Sequence, residues 1–176
     1  MTAVAESSYV EAIGRAVDLL DAAFASGHKL LAFGNGGSSA DAQHLTAEFV
    51  GHFAVERRPL PAIALTTNQA ILTAWSNDRS FADVFARQVE ALGKPGDVAL
   101  GISTSGTSDN VVNGLQRARA CGLKTIALTG AGGGKLGELS DVLLAVPLVS
   151  TARVQEVHLV TYHAICGAIE ARLLRG

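Results

Sequence analysis

The sequence predicts a three-layer α/β domain: a doubly wound parallel sheet of five strands with helices on both faces. Three observations carry this. Short apolar runs alternate along the chain with stretches of helical period, as βαβ units require. The runs are apolar almost throughout, as strands buried on both faces should be. The first, third and fourth runs each end in a loop of Gly, Ser and Thr, which in such a sheet gathers small polar loops at the carboxyl ends of the strands.

From Glu6 to Ser26 apolar residues recur at helical spacing (Val10, Ile13, Val17, Leu20, Ala23, Phe24), and Gly27 ends that helix. His28 and Lys29 lead into the first strand, Leu30 to Phe33. A glycine loop follows, and then a helix from about Ser39 to His52. Residues 56–61 form a loop and 62–65 the second strand. Asn68 to Trp75 reads as a short helix, broken by Asn77-Asp78-Arg79-Ser80, and 81–92 is helical again. After the turn at 94–97 come the third strand (98–102), the polar loop 103–108 and a helix to Ala120, capped by Gly122. The fourth strand (125–128), a glycine-rich loop (129–135), the fifth strand (142–146) and a long helix from about Val154 to Leu174 complete the chain. No domain boundary, repeat or low-complexity segment interrupts it, so residues 1–176 read as one domain.

Composition narrows the function classes. Of 176 residues, 48% are hydrophobic and only 17% charged, which excludes a disordered chain and favours an oligomer. Net charge is −2 with no basic block, so nucleic acid is not an expected partner. No apolar run has membrane-spanning length and no signal-peptide pattern opens the chain; a cytoplasmic protein without a membrane partner is expected. Cys121 and Cys166 are far apart, outside any CxxC spacing, and read as free, buried thiols.

Two loops offer anion chemistry. Leu30-Leu31-Ala32-Phe33-Gly34-Asn35-Gly36-Gly37-Ser38-Ser39 delivers an apolar strand through glycines to a helix start, where free N–H groups and the helix dipole favour negative charge. It matches neither a P-loop nor GxGxxG; its bland reading is a tight strand-to-helix turn. Ser103-Thr104-Ser105-Gly106-Thr107-Ser108 clusters hydroxyls ahead of a helix. Capping accounts for one hydroxyl, phosphate binding for several. His44 and Glu48, four apart, share one helix face as a metal pair or an acid–base pair; alone they would read as a solvated face. On the last helix Gln155, Leu159 and His163 lie along one stripe. His158 falls off it as a surface or structural residue, and Arg153 with Glu156 reads as a surface ion pair.

The segments GNGGSSADAQHLTAE, AWSNDRSF, GISTSGTSDNV, LTGAGGGKL, RVQEVH and LVTYH, in this order and spacing, resemble the SIS (sugar isomerase) phosphosugar-binding family, in its sedoheptulose 7-phosphate isomerase branch. The resemblance runs from about Leu30 to His163. It implies a flavodoxin-like five-stranded sheet, and a homotetramer whose core is built by the N-terminal and C-terminal helices, with active sites between subunits. It implies substrate contacts at Asn35, Gly36, Gly37, Ser38, Glu48, Asn77, Asp78, Ser103, Thr104, Ser105, Ser108 and Gln155, and acid–base roles for Glu48 and His163. It implies one zinc ion on His44, Glu48, Gln155 and His163, with no nucleotide or redox cofactor. On a regular helix Gln155 and His163 stand about 12 Å apart in rise, so shared ligation predicts a distorted first turn or reaches from opposite directions.

His52 stands where the enterobacterial-type pattern has arginine, and Ala152 where it has aspartate. A longer ketose phosphate of the octulose type is therefore the alternative substrate. The family also holds a non-catalytic branch associated with a replication initiator, and sugar-phosphate sensors joined to transcription regulators. The first lacks the acid–base pair and the second carries a DNA-binding segment, so Glu48 and His163 favour the enzyme: an aldose–ketose isomerase acting through an enediol.

Overall fold

The computed structural model describes residues 7–175; the predicted helix start at Glu6 lies outside them. The elements are α1 (Ser7–Ala25), β1 (Leu30–Gly34), α2 (Gly37–Val50), β2 (Ala62–Ala64), α3 (Gln69–Asp78), α4 (Val84–Leu92), β3 (Val98–Ser103), α5 (Asp109–Ala120), β4 (Lys124–Thr129), α6 (Gly134–Leu139), β5 (Val142–Ala145) and α7 (Thr151–Leu173). The five strands pair in parallel throughout, in the order β2-β1-β3-β4-β5.

Strand alternation builds two cores. Leu30 and Ala32 point to one side, against Leu20 and Phe24 of α1, Leu45 and Phe49 of α2, and Tyr162 and Ile165 of α7. Leu31 and Phe33 point to the other, against Phe85 and Val89 of α4, Val111 and Leu115 of α5, and Leu136 of α6. Every residue of β1 and β3 is buried, which is why these strands read as unbroken apolar runs.

Several boundaries differ from expectation. α3 runs through Asn77 and Asp78, and the break falls at Arg79-Ser80. Ser80 accepts a hydrogen bond from the Ala82 N–H and starts a short 3₁₀ turn (Phe81–Asp83), so 81–92 is not one helix. The glycine-rich loop after β4 contains α6, because a single fully buried Leu136 anchors that turn. α2 and α7 begin earlier than predicted, at Gly37 and Thr151. Cys121 is only partly buried, whereas Cys166 is buried.

The loop after β4 braces the loop after β3. Gly130 N–H donates to the Thr104 carbonyl at 2.9 Å, and Leu136 N–H to the Gly106 carbonyl at 3.1 Å. Gly106 sits at φ +67°, and a β-carbon there would run into the Gly133 carbonyl. At the opposite end of the sheet Asp97, 2% exposed, ties β1 to β3. It accepts from Lys29 N–H at 3.0 Å, Lys94 N–H at 2.8 Å and the Lys29 ammonium. Burial pushes its carboxyl upward, but Lys29 and the backbone donors outweigh this and hold it below the usual carboxylate range.

Two outcomes are expected. Gly106→Ala should cost about 2 kcal/mol or more in urea unfolding, because left-handed strain and a backbone clash add; an unchanged midpoint would mean that the brace is slack. Asp97→Asn should cost about 2 kcal/mol at neutral pH. Asp97 has a depressed folded pKa, so its contribution is complete above the ordinary carboxylate pKa and is lost as pH falls through the folded value. The gap between wild type and Asp97→Asn should close on acidification, read by denaturation at a series of pH values.

Candidate active site

A cavity of about 300 Å³ opens at the carboxyl ends of β1 and β3. The strand order reverses between these neighbours, and this is where open α/β sheets place ligands. Asn35, Gly36, Gly37 and Ser38 form one wall; Ile102, Ser103, Thr104 and Ser108 form the other. Thr151 and Gln155, from the start of α7, close it. A larger groove, about 440 Å³, lies between α4 and α5. Asn113 there bonds Asp83 and Arg117 faces Glu90, whereas the smaller cavity lies at the carboxyl ends of the strands and is the candidate site.

Three helices begin at this cavity, and none has a side-chain cap. Gly36 precedes α2, Ser108 precedes α5 and Ser150 precedes α7, each without a side-chain bond to the first turn. The first N–H groups of a helix have no acceptor within it, and the dipole makes that end positive. Convergent helix starts therefore bind an anion without a lysine. The Ser108 hydroxyl bonds Ser103 Oγ at 3.0 Å instead of capping α5, and Ser103 Oγ also meets Ser105 Oγ at 3.3 Å. Ser103, Thr104 and Ser108 of this loop line the cavity, as an anion site needs.

The residues expected to touch substrate divide accordingly. Asn35, Gly36, Gly37, Ser38, Ser103, Thr104, Ser108 and Gln155 line the cavity. The Gln155 amide occupies the space that a β-carbon at Gly37 would fill. Ser105 is exposed and does not line the cavity, though its hydroxyl lies 3.3 Å from Ser103 Oγ. Asn77 and Asp78 lie outside the cavity at the exposed end of α3, bonded to each other at 2.8 Å. Thr151 also lines the cavity and was not expected from the sequence; an isolated Thr at a helix start carries no signal beyond capping.

Glu48 belongs to a second group, with His44 and His163. One ligand atom from each lies within 4.8 Å of the others. His44 Nε2 is 2.9 Å from Glu48 Oε1. The other ring nitrogen, Nδ1, meets the Tyr162 hydroxyl at 3.0 Å, so the imidazole is held at both ends. Tyr162 is almost fully buried; burial and nearby Asp41 push its hydroxyl pKa upward. Burial likewise raises the Asp41 carboxyl, with the Tyr162 bond opposing. His163 Nε2 is buried and has no hydrogen-bond partner among the described residues. α7 is unbroken from Thr151 to Leu173, so the distorted first turn is absent and Gln155 stays about 12 Å of rise from His163.

Neighbouring groups explain the rigidity of this cluster. Arg57, from the loop after α2, donates to the carbonyls of Glu48 at 2.6 Å, Phe49 at 2.8 Å and Gly51 at 3.0 Å, meeting the open end of α2. Glu170 of α7 faces Arg57 Nε at 3.3 Å, an ion pair too poorly aligned to be a hydrogen bond. It also accepts from the N–H groups of Phe53, Ala54 and Val55. His158 is fully buried, and Nε2 donates to the Thr129 carbonyl at 3.1 Å, so its role is structural. Arg153 and Glu156 form the exposed ion pair expected of them. Burial raises the Cys166 thiol to about 12, which removes it as a nucleophile.

Comparison with known proteins follows the same lines. The sequence profile described as SIS domain matches residues 1–130. The phosphoheptose isomerase of Crocosphaera subtropica is 53% identical over 165 residues, 94% of this chain and 84% of that protein. That of Synechocystis sp. is 54% identical over 168 residues, 96% of this chain and 87% of that protein. The solved structure of phosphoheptose isomerase from Neisseria gonorrhoeae aligns with a TM-score of 0.87 at 46% identity, over 92% of this chain and 86% of that one. A likeness this high across most of the chain, with the expected loops and the His44–Glu48–His163 cluster in place, shows that the chain belongs to the SIS domain family, in its phosphoheptose isomerase branch.

Proposed function

We propose that the protein interconverts sedoheptulose 7-phosphate and D-glycero-D-manno-heptose 7-phosphate, a ketose–aldose isomerisation in the cytoplasm. One observation carries this reading: α2 and α7 both begin at the uncapped anion cavity and both carry members of the His–Glu–His cluster. Phosphate recognition and proton transfer are thus joined by two rigid rods, and remote binding energy positions the reacting carbons.

The phosphate rests on the Ser103–Ser108 loop and the helix starts. Glu48 removes a proton from C1 of the ketose while protonated His163 gives one to the C2 oxygen. The C–H electron pair becomes the double bond of a cis-enediol. Glu48 then returns its proton to C2, and the C1 hydroxyl gives its proton to His163 as the C1 carbonyl forms. All protons are restored and no oxidant is used.

His44, Glu48 and His163 fit a zinc ion: two imidazoles and a carboxylate are a common donor set, and the unpartnered His163 Nε2 is the kind of buried atom a ligand satisfies. When bound, the ion would take the place of the His163 Nε2 proton and would supply Lewis-acid polarisation of the substrate oxygens instead. Gln155 is the fourth ligand of this reading. Its separation from His163 along one helix supports a site completed between subunits, and the exposed Val10, Leu159 and Val160 of α1 and α7 support a homotetramer packed through those helices.

Glu48→Gln should lower kcat at least about a thousandfold while circular dichroism and sedimentation stay unchanged, because the amide keeps the shape and cannot take a proton. Near-normal turnover would remove Glu48 from the base role. His44→Ala should lose most bound zinc by metal analysis and most activity with it, and added zinc should restore part of both. Full activity in thoroughly chelated wild type would end the metal assignment and leave the isomerase intact; absence of turnover with every ketose phosphate tried would point to a binding module.

A further inference from the structure

We infer that Asn110 is a positioning residue for this site, acting through Asn35. The inference rests on the reading of the cavity as the phosphosugar site. Asn35 Nδ2 donates to Asn110 Oδ1 at 2.8 Å, and Asn110 Nδ2 donates back to Asn35 Oδ1 at 2.8 Å. Both amide faces are used in this two-bond clasp, which joins residues 75 apart in sequence.

Its place gives it consequence. Asn35 follows β1 and lies two residues before Gly37, where α2 starts; Asn110 lies in the first turn of α5 and is 3% exposed. The pairing of β1 with β3 stops at Gly34 opposite Ile102. Beyond that point the two walls of the cavity separate, and among the described residues no other hydrogen bond joins 35–38 to 103–110. The clasp therefore sets the spacing between the α2 and α5 helix starts, on which convergent N–H donation to one anion depends. An amide is needed at both positions, because each must donate and accept at once; a carboxylate cannot donate and an apolar side chain does neither. Asn35 then serves substrate through the shape of its loop, with its side chain committed to Asn110 rather than to the sugar.

The test is a double-mutant cycle with Asn35→Leu, Asn110→Leu and both together. Its readouts are KM and kcat for sedoheptulose 7-phosphate, the Kd of inorganic phosphate by calorimetry, and the melting temperature. Each single change breaks both bonds and should raise KM and the phosphate Kd about tenfold, with kcat changed by less than about threefold. The double variant should match the singles, since nothing remains to lose. A double variant much worse than either single, with Asn35→Leu the more damaging, would mean that Asn35 touches substrate itself and would overturn the inference. A fall in melting temperature with KM and phosphate Kd unchanged would overturn it as well, leaving a purely structural pair. Should Asn110→Leu fail to fold, the smaller Asn110→Ala takes its place in the cycle. Wild type that binds phosphate but turns over no sugar would sink the proposed reaction alone, because the phosphate titration still reads the clasp.

Discussion

Unmet backbone N–H groups at three helix starts are the constraint on which this structure depends. α2, α5 and α7 each begin at one cavity with no side-chain cap, so their positive ends face a common space. The parallel sheet makes the convergence possible, because every strand delivers its chain to the same edge. The 2-1-3-4-5 order then opens a crevice between β1 and β3 wide enough for a ligand.

Much of the remaining architecture holds these helix starts in place. The glycine-rich loop after β4 gives backbone bonds to Thr104 and Gly106, and its lack of side chains lets two loops touch through their main chains. The Asn35–Asn110 clasp spans the gap beyond the last β1–β3 pair. Asp97 fastens the same two strands at the far end of the sheet. A frame fastened at both ends holds these hydroxyls and N–H groups in a fixed arrangement, which lowers the ordering cost of binding a ligand there.

The His44–Glu48–His163 cluster is set apart from the cavity and is held differently. His44 and Glu48 share a face of α2, and His163 comes from α7, packed beside it. Tyr162 holds the far side of the His44 ring. Arg57 and Glu170 secure the last turn of α2, which carries Glu48. The cavity and the cluster thus lie at different levels of the same two helices, so a displacement of either helix moves both.

The sequence by itself determined the layer architecture, the five strands, both anion loops and the pairing of His44 with Glu48. These follow from local rules: apolar runs, glycine punctuation and the four-residue period of a helix. Resemblance to a family supplied the roles of Glu48 and His163, which no local pattern carries. Tertiary structure alone decided the rest. It ran α3 through Asn77 and Asp78 and left them outside the cavity. It turned part of a glycine loop into α6 around one buried leucine. It kept α7 regular, holding Gln155 at the anion cavity and His163 at the cluster. It paired Asn35 with Asn110, Tyr162 with His44 and Glu170 with Arg57 across long sequence separations. The reason is common to all of these. A hydrogen bond between distant residues leaves no periodicity in the chain, and whether a polar side chain meets substrate or another side chain is settled only when the elements pack.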